Sequence, residues 1–341
     1  YAGNIKHSSG LARANRLARR FTIALPMINT PVAFIVFNRP RYTREAFASI
    51  RAAQPRELFL IADGPRASHP SDRSLCDEVR GIVEQVDWPC AVHKIYAGDN
   101  LGLKKRVTTG LNAVFDQVDR AIILEDDCLT HPDFFTFCES LLDRYAQDDR
   151  VWVISGDNHQ HGKKRGDASY YFSKYADCWG WATWRRAWQH NQGDIPFWPS
   201  WKESDAWKSM KFSREERAYW TDIFDRVHSN AIHSSWFYPW QASVWFNGGL
   251  SAIANANLVS NIGIGPDATH TIAENEQPGL PMAPLGAIRH PDALTLDAAA
   301  DRRTYDYRHD GLRRRFPRNL KPVPRRIAGS VYRYLRRTLG F

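Results

Sequence analysis

The sequence predicts an α/β fold in which a mostly parallel central sheet is flanked by helices on both faces. Three observations predict it. Short apolar runs at 32–37, 58–62 and, after Arg120, in the segment 120–124 have the length and composition of buried strands. Helix-length amphipathic stretches alternate with them, the pattern of βαβ units. Each run ends in polar or glycine-containing residues: Asn38-Arg39-Pro40, Asp63-Gly64-Pro65 and Glu125-Asp126-Asp127. In such sheets ligands bind beyond the carboxyl ends of the strands, so these turns are the first place to look for chemistry.

Taken in order, the first 29 residues are basic and weakly patterned, with Arg13, Arg16, Arg19 and Arg20, and read as an arm or short surface helix. A strand over 32–37 is followed by a helix from an N-cap at Thr43 to Ala53. A strand at 58–62, a helix at 71–85, a strand at 91–96, a helix at 104–116 and a strand at 120–124 complete the first half. Beyond residue 150 the character changes, and 12 of the 13 tryptophans lie there. Strands are expected at 151–155, 170–173 and 250–254, and helices at 182–190, 214–228 and 238–246. From 278 the pattern weakens. At 323–339, Val323, Ile327, Val331, Leu335 and Leu339 recur every four residues among arginines, the mark of a basic amphipathic helix. The expected organisation is an arm (1–29), a domain (30–277, with halves 30–128 and 129–277) and a basic extension (278–341).

Hydrophobic residues make up 43% of the 341, enough for a normal core. No apolar run reaches the roughly 18 residues of a membrane-spanning helix. The five cysteines have neither metal-site nor C-x-x-C spacing, and their odd number without a secretory leader predicts reduced thiols in the cytoplasm. Residues 302–341 hold 13 Lys and Arg against two acids, more than the whole net charge of +9. A basic tail on a near-neutral body suits an anionic partner. The inner face of the plasma membrane fits better than nucleic acid, because the tail lacks a recognition module.

Three consecutive carboxylates at the end of a buried strand repel one another, and a cation would offset that cost. Hard oxygen ligands suit Mn²⁺ or Mg²⁺, which also bridge the phosphates of a nucleotide. The competing reading is a solvated acidic turn. Pro132 near the start of the following helix fixes where the turn sits. Asp63, after the second strand, is placed to accept from a base N–H, or else to form an ordinary Asp-Gly turn. In Asn100-Leu101-Gly102-Leu103-Lys104-Lys105-Arg106, a glycine and three cations open a helix, an arrangement that attracts phosphate.

These features together resemble the GT-A glycosyltransferases over roughly residues 31–271. Glu125-Asp126-Asp127 followed by Pro132-Asp133-Phe134-Phe135 is similar to the metal motif of the N-acetylglucosaminyltransferase of N-glycan branching. Bacterial family 2-like sugar nucleotide transferases resemble the chain also in Cys178-Trp179-Gly180-Trp181-Ala182-Thr183-Trp184 and in the segment from Asn257 through Gly263 to His270. The resemblance implies a metal-dependent transfer, with inversion, from a nucleoside-diphosphate sugar, most simply a UDP-sugar, to a glycan or lipid-linked acceptor. It implies metal binding by Asp127 and His270 and a base contact by Asp63. Phe37, Arg39, Gly102, Lys104, Arg106, Glu125, Asp126, Gly180 and Trp181 would line the nucleotide side. Trp179, Trp181 and Trp236 would stack on sugar, the other tryptophans filling core.

One departure concerns the base that takes the acceptor proton. Members with inversion carry an acid near the position of Trp236, whereas this chain has no Asp or Glu between Asp225 and Asp267. His233, Asp157 and Asp177 are the candidates, and absence of a base is the alternative. Two other readings compete. A sugar-1-phosphate nucleotidyltransferase normally has a glycine-rich loop after the first strand, where this chain reads Phe37-Asn38-Arg39-Pro40. A catalytically degenerate domain that binds glycans or a partner is the other.

Overall fold

A computed structural model of the chain describes residues 27–263 and 279–315. The N-terminal arm up to residue 26, His270 and the predicted tail helix lie outside the described residues. Strands β1 (Val32–Val36), β2 (Glu57–Ala62), β3 (Ala91–Tyr96) and β4 (Arg120–Glu125) pair in parallel in the order 3-2-1-4. Helices α1 (Pro40–Ala53), α2 (Asp72–Val83) and α3 (Leu103–Phe115) connect them. The sheet then continues through β8 (Trp181–Trp184), β6 (Val151–Ser155), β9 (Leu250–Ala254) and β7 (Tyr170–Ser173). β8 and β7 run against the other six, so the eight-stranded sheet is mostly parallel.

Both faces are covered, which explains why β1 is buried at every position. Val32, Phe34 and Val36 face α1 and α2 and the aromatic start of α4 (Asp133–Arg144). Ala33 and Ile35 belong to the opposite core with Val107, Leu111 and Val114 of α3. That second core continues into an aromatic mass built from α5 (Arg185–Trp188), α6 (Trp198–Glu203), α7 (Asp205–Ser209), α8 (Arg214–His228) and α9 (Phe237–Phe246). Twelve of the 13 tryptophans are buried, Trp179 being the half-buried exception. The expectation that Trp181 and Trp236 stand out for sugar stacking is therefore corrected. They stack on each other at 5.7 Å and are 1% and 4% exposed.

Several boundaries differ from the sequence expectation for identifiable reasons. α1 starts at Pro40, because proline at the first helical position gives up no hydrogen bond. Thr43, expected as the cap, instead returns its hydroxyl to the Arg39 carbonyl at 2.9 Å. The helix expected over 182–190 is β8 followed by the single turn of α5. Ala182 is paired between Ile122 and Ile154, and two-sided ladder pairing outweighs the helical spacing. A two-stranded ribbon, β5 (Cys128–Thr130) with β10 (Val259–Asn261), escapes sequence reading because three-residue strands carry no period.

Beyond residue 278, where the pattern weakens, the chain forms α10 (Ala298–Arg308) and α11 (Gly311–Arg315). Asp297 caps α10 by accepting from the Ala299 and Ala300 amides at 3.0 and 2.8 Å. The helix is tied to β7 through Asp301, which accepts from Ser173 Oγ at 2.6 Å and from the Lys174 amide at 3.3 Å. No described helix is long and apolar enough to cross a membrane.

Burial pushes the Asp301 carboxyl up to about 7, against the opposing pull of Lys174 and the Ser173 hydrogen bond. The folded state therefore binds this proton more tightly than the unfolded state. Its contribution to stability is full below about pH 4 and is lost as pH rises through about 7. Asp301→Asn is expected to flatten the stability–pH curve of this interval by up to about 1.4 kcal/mol per pH unit. Urea unfolding of both proteins at pH 4.5, 6 and 8 measures it. Parallel curves would remove Asp301 from the account.

Candidate functional site

The parallel half of the sheet reverses its order between β1 and β4, and at such a switch point the loops leaving the two strands diverge and open a crevice. The chain places Phe37-Asn38-Arg39 after β1 and Glu125-Asp126-Asp127 after β4 at that point. Arg39 spans the crevice. Its guanidinium bonds both oxygens of Asp126, through Nε at 3.2 Å and through a short contact of the second arm. The same arm lies 3.0 Å from Asp127 Oδ2. Asp126 also accepts from the Phe37 backbone, a third donor on a carboxylate with four lone-pair positions.

One arginine cannot neutralise three carboxylates. Burial opposes the charge on Arg39, but Asp126, Asp127 and Glu125 together hold its pKa well above the ordinary arginine value. Burial, with the charges of Asp127 and Asp126 added, pushes the Glu125 carboxyl up, against Arg39 and a hydrogen bond from Trp236. Burial likewise raises Asp126, with Arg39 opposing. The turn is thus short of positive charge, and its hard oxygen ligands fit a divalent cation beside Arg39. Asp127 is the member positioned from several sides. Asn261 Nδ2 donates to its Oδ1 at 3.2 Å, and its carbonyl accepts from the Ile262 amide at 2.8 Å. Gly263 backs onto it so closely that a Cβ there would lie 2.3 Å from Asp127 Oδ2 and 2.9 Å from Arg39.

Asn261 and Gly263 carry no assigned role in the sequence reading. The signal was the Asn257–Gly263 motif, but only the β5–β10 ribbon reveals that it closes over the acidic turn. The predicted second metal ligand, His270, lies outside the described residues.

Asp63 differs from expectation. Its carboxylate accepts from the amides of Gly64, Leu101 and Gly102 and from Asn100 Nδ2, at 2.9, 2.9, 3.1 and 3.0 Å. Four donors fill the four lone-pair positions of a carboxylate, so Asp63 fixes the 99–102 loop and is not free for a base N–H. Gly64 permits this, since a Cβ would lie 2.4 Å from the Asp99 backbone. Gly102, at φ +76°, then opens α3. Of the cations after it, Lys104 pairs with Asp194 at 3.1 Å. Arg106 turns inward, its pKa lowered by burial and partly restored by Asp63. Neither projects into solvent as a free phosphate ligand.

A second constellation lies on the same rim. Asp177 precedes β8, the strand next to β4, and Asp157 follows β6, one strand further on, about two strand spacings or on the order of 10 Å from β4. Both are buried, with His159 between them: Nε2 is 3.4 Å from Asp157 and 3.7 Å from Asp177. Burial and Asp157 push the Asp177 carboxyl up to about 6, against His159 and Arg308. Sequence reasoning found both acids and missed His159. Gly180 is tucked against Val259 at φ +70°, with its carbonyl accepting from Gly156, so it fastens this rim rather than lining an open pocket. His233 is exposed in the loop before α9.

Arg39→Met is expected to leave Asp126 and Asp127 as uncompensated buried charges, costing about 3–5 kcal/mol of stability. Millimolar Mn²⁺ should restore part of the loss, and melting temperature with and without the ion reads both effects. A variant as stable as wild type without metal would contradict the charge shortage.

No family model matches the chain. Among solved structures it is similar to the mannosyltransferase PcManGT from Pyrobaculum calidifontis in complex with GDP-Man and Mn²⁺, at 12% identity over 70% of this chain and 76% of that one, with a TM-score of 0.35. The inositol-1-phosphate CTP transferase from T. maritima matches at 9% identity over 67% and 86%, TM-score 0.33. A UDP-glucose pyrophosphorylase complexed with UDP-glucose matches at 11% over 48% and 79%, TM-score 0.29.

Proposed function

We propose that the protein is a metal-dependent glycosyltransferase that takes its sugar from a nucleoside-diphosphate donor, in the first instance a UDP-sugar. The observation that carries this reading is the acidic turn of Glu125, Asp126 and Asp127 at the switch point, bridged by Arg39 and short of positive charge. A diphosphate with its divalent ion fits that need, the ion adding charge that Arg39 alone does not supply.

In this reading Asp127 holds the ion, Mn²⁺ or Mg²⁺, with His270 as the proposed second ligand. Asn261 and Gly263 keep the Asp127 carboxylate turned toward the crevice. Arg39 steadies the turn and offers charge to the phosphates. The bound ion supplies Lewis-acid stabilisation of the departing diphosphate. Phe37, at the mouth of the crevice, and the Gly102–α3 entrance lie on the nucleotide side.

The acceptor hydroxyl must lose a proton as it attacks the anomeric carbon. We assign that acceptance to the Asp157–His159–Asp177 cluster, because it is buried on the same rim, in preference to the exposed His233. The acceptor is proposed to be a glycan or lipid-linked saccharide. The basic residues after Arg315 would hold the enzyme at an anionic inner-leaflet surface, each cation contributing on the order of 1 kcal/mol there, since arginines of α10 and α11 are engaged within the fold.

Asp127→Asn is expected to lower Mn²⁺-dependent hydrolysis of a nucleoside-diphosphate sugar by about 100-fold or more. Gly263→Ala should lower it too, by displacing the same carboxylate. Release of nucleoside diphosphate from a panel of UDP- and GDP-sugars measures both. Equal rates in wild type and Asp127→Asn would sink the assignment, and release of pyrophosphate from a nucleoside triphosphate would point to a nucleotidyltransferase instead.

A further inference from the structure

The distances around His159 do not fit a hydrogen-bonded triad. A buried imidazole N–H reaching a carboxylate lies about 2.7–3.2 Å from it. Here Nε2 lies 3.4 Å from Asp157 Oδ2 and 3.7 Å from Asp177 Oδ1, and it is buried with no hydrogen-bond partner. One atom from each residue can be chosen so that all three fall within 4.8 Å of one another. A tetrahedral ion with ligand bonds of about 2.1 Å has ligand–ligand edges of about 3.4 Å. His159 is spaced from both acids as along such edges rather than as a bonded partner.

We propose that Asp157, His159 and Asp177 form a second divalent-cation site, distinct from the acidic turn, with three protein ligands and an open fourth position. Three features support it. The donor set of one imidazole nitrogen and two carboxylate oxygens suits Zn²⁺ and its neighbours in the transition series better than Mg²⁺. One carboxylate is already oriented: Ser155 Oγ donates to Asp157 Oδ1 at 2.7 Å, leaving Oδ2 toward the imidazole. Two acids, each more than nine-tenths buried, also stand side by side, and a divalent ion would compensate both. Arg308, stacked at 4.4 Å over Trp179, adds one charge from the outside, and Trp179 in turn stands edge-on to His159 at 5.6 Å. Trp179 is the one half-buried tryptophan, so the ring beside the cluster reaches the surface. An ion there would make the cluster's basic group a bound water, ionising nearer neutrality than free water.

The site stands independently of the transferase reading. Full-length chain is stripped with chelator and titrated with Co²⁺, whose visible absorption is strong in tetrahedral sites. Wild type and Asp127→Asn are both expected to develop that band to one equivalent. His159→Gln and Asp177→Asn are expected to weaken binding by about 100-fold or more. Ser155→Ala, which keeps all three ligands, should weaken it by about 10-fold and serves if the ligand variants fold poorly. Zn²⁺ should displace the Co²⁺ band. Absence of the band in wild type, or an unchanged band in His159→Gln and Ser155→Ala, overturns the proposal. Loss of the band in Asp127→Asn alone overturns it as well, since the ion then belongs to the acidic turn. Failure of nucleotide-sugar hydrolysis with the band intact rejects the transferase reading and leaves this site standing.

Discussion

The rest of the site depends on one electrostatic constraint: three adjacent carboxylates stand at the end of β4 with a single arginine, Arg39, facing them from the neighbouring strand. A charge buried without a partner costs several kcal/mol, so the two loops cannot separate without exposing an unfavourable state. That constraint holds the crevice at the switch point in one geometry. It also leaves negative charge that Arg39 alone does not cancel, and in the proposed reading a cation would take up the remainder. A second arginine would settle the turn and leave no such role for a metal.

Around that centre, distant stretches of chain are fastened by backbone pairing rather than by side-chain packing. The β5–β10 ribbon brings residues 259–263 against the acidic turn, and Gly263 allows an approach that any side chain would block. The Gly156–Gly180 hydrogen bond does the same between β6 and β8. Each glycine admits backbone where a methyl group would collide, at Val259 for Gly180 and at Phe134 for Gly156. The rim is therefore rigid where the donor would sit, and ligand groups would meet preset partners there.

The sequence was most legible where local period and burial coincide. β1, β2 and β4 are buried on both faces and read as apolar runs, while β3 is a half-exposed edge strand, and α8, with its Ser213–Glu216 capping box, matches the expected span of 214–228. It was least legible where a partner far along the chain decides the outcome. β8 looks helical until β4 and β6 pair with it, and β5 and β10 are too short to show any period. Asp63 shows the same limit in chemistry. Its position after a strand was readable, but four donors from residues 64 and 100–102 were not, and they change its task from ligand contact to loop geometry. His159 escaped because a histidine two residues from an aspartate is unremarkable until Asp177 arrives from the next loop.

The tryptophans bear on how an acceptor is met. Twelve of them are buried, and the indoles of Trp181, Trp188, Trp236 and Trp240 pack at 5.1–6.1 Å from one another behind the rim. An aromatic mass of this kind resists deformation, because each ring is held by several others at contact distance. It anchors β8 and the start of α9 as one unit, and through Trp236 it reaches Glu125 itself. In the proposed reading, recognition of a saccharide would fall to what this unit holds up rather than to its own faces. Trp179, half-buried between His159 and Arg308, is the tryptophan left at the rim. A sugar ring stacking there would sit beside the Asp157–His159–Asp177 cluster, so that the proposed acceptor binding and proton removal would share one place.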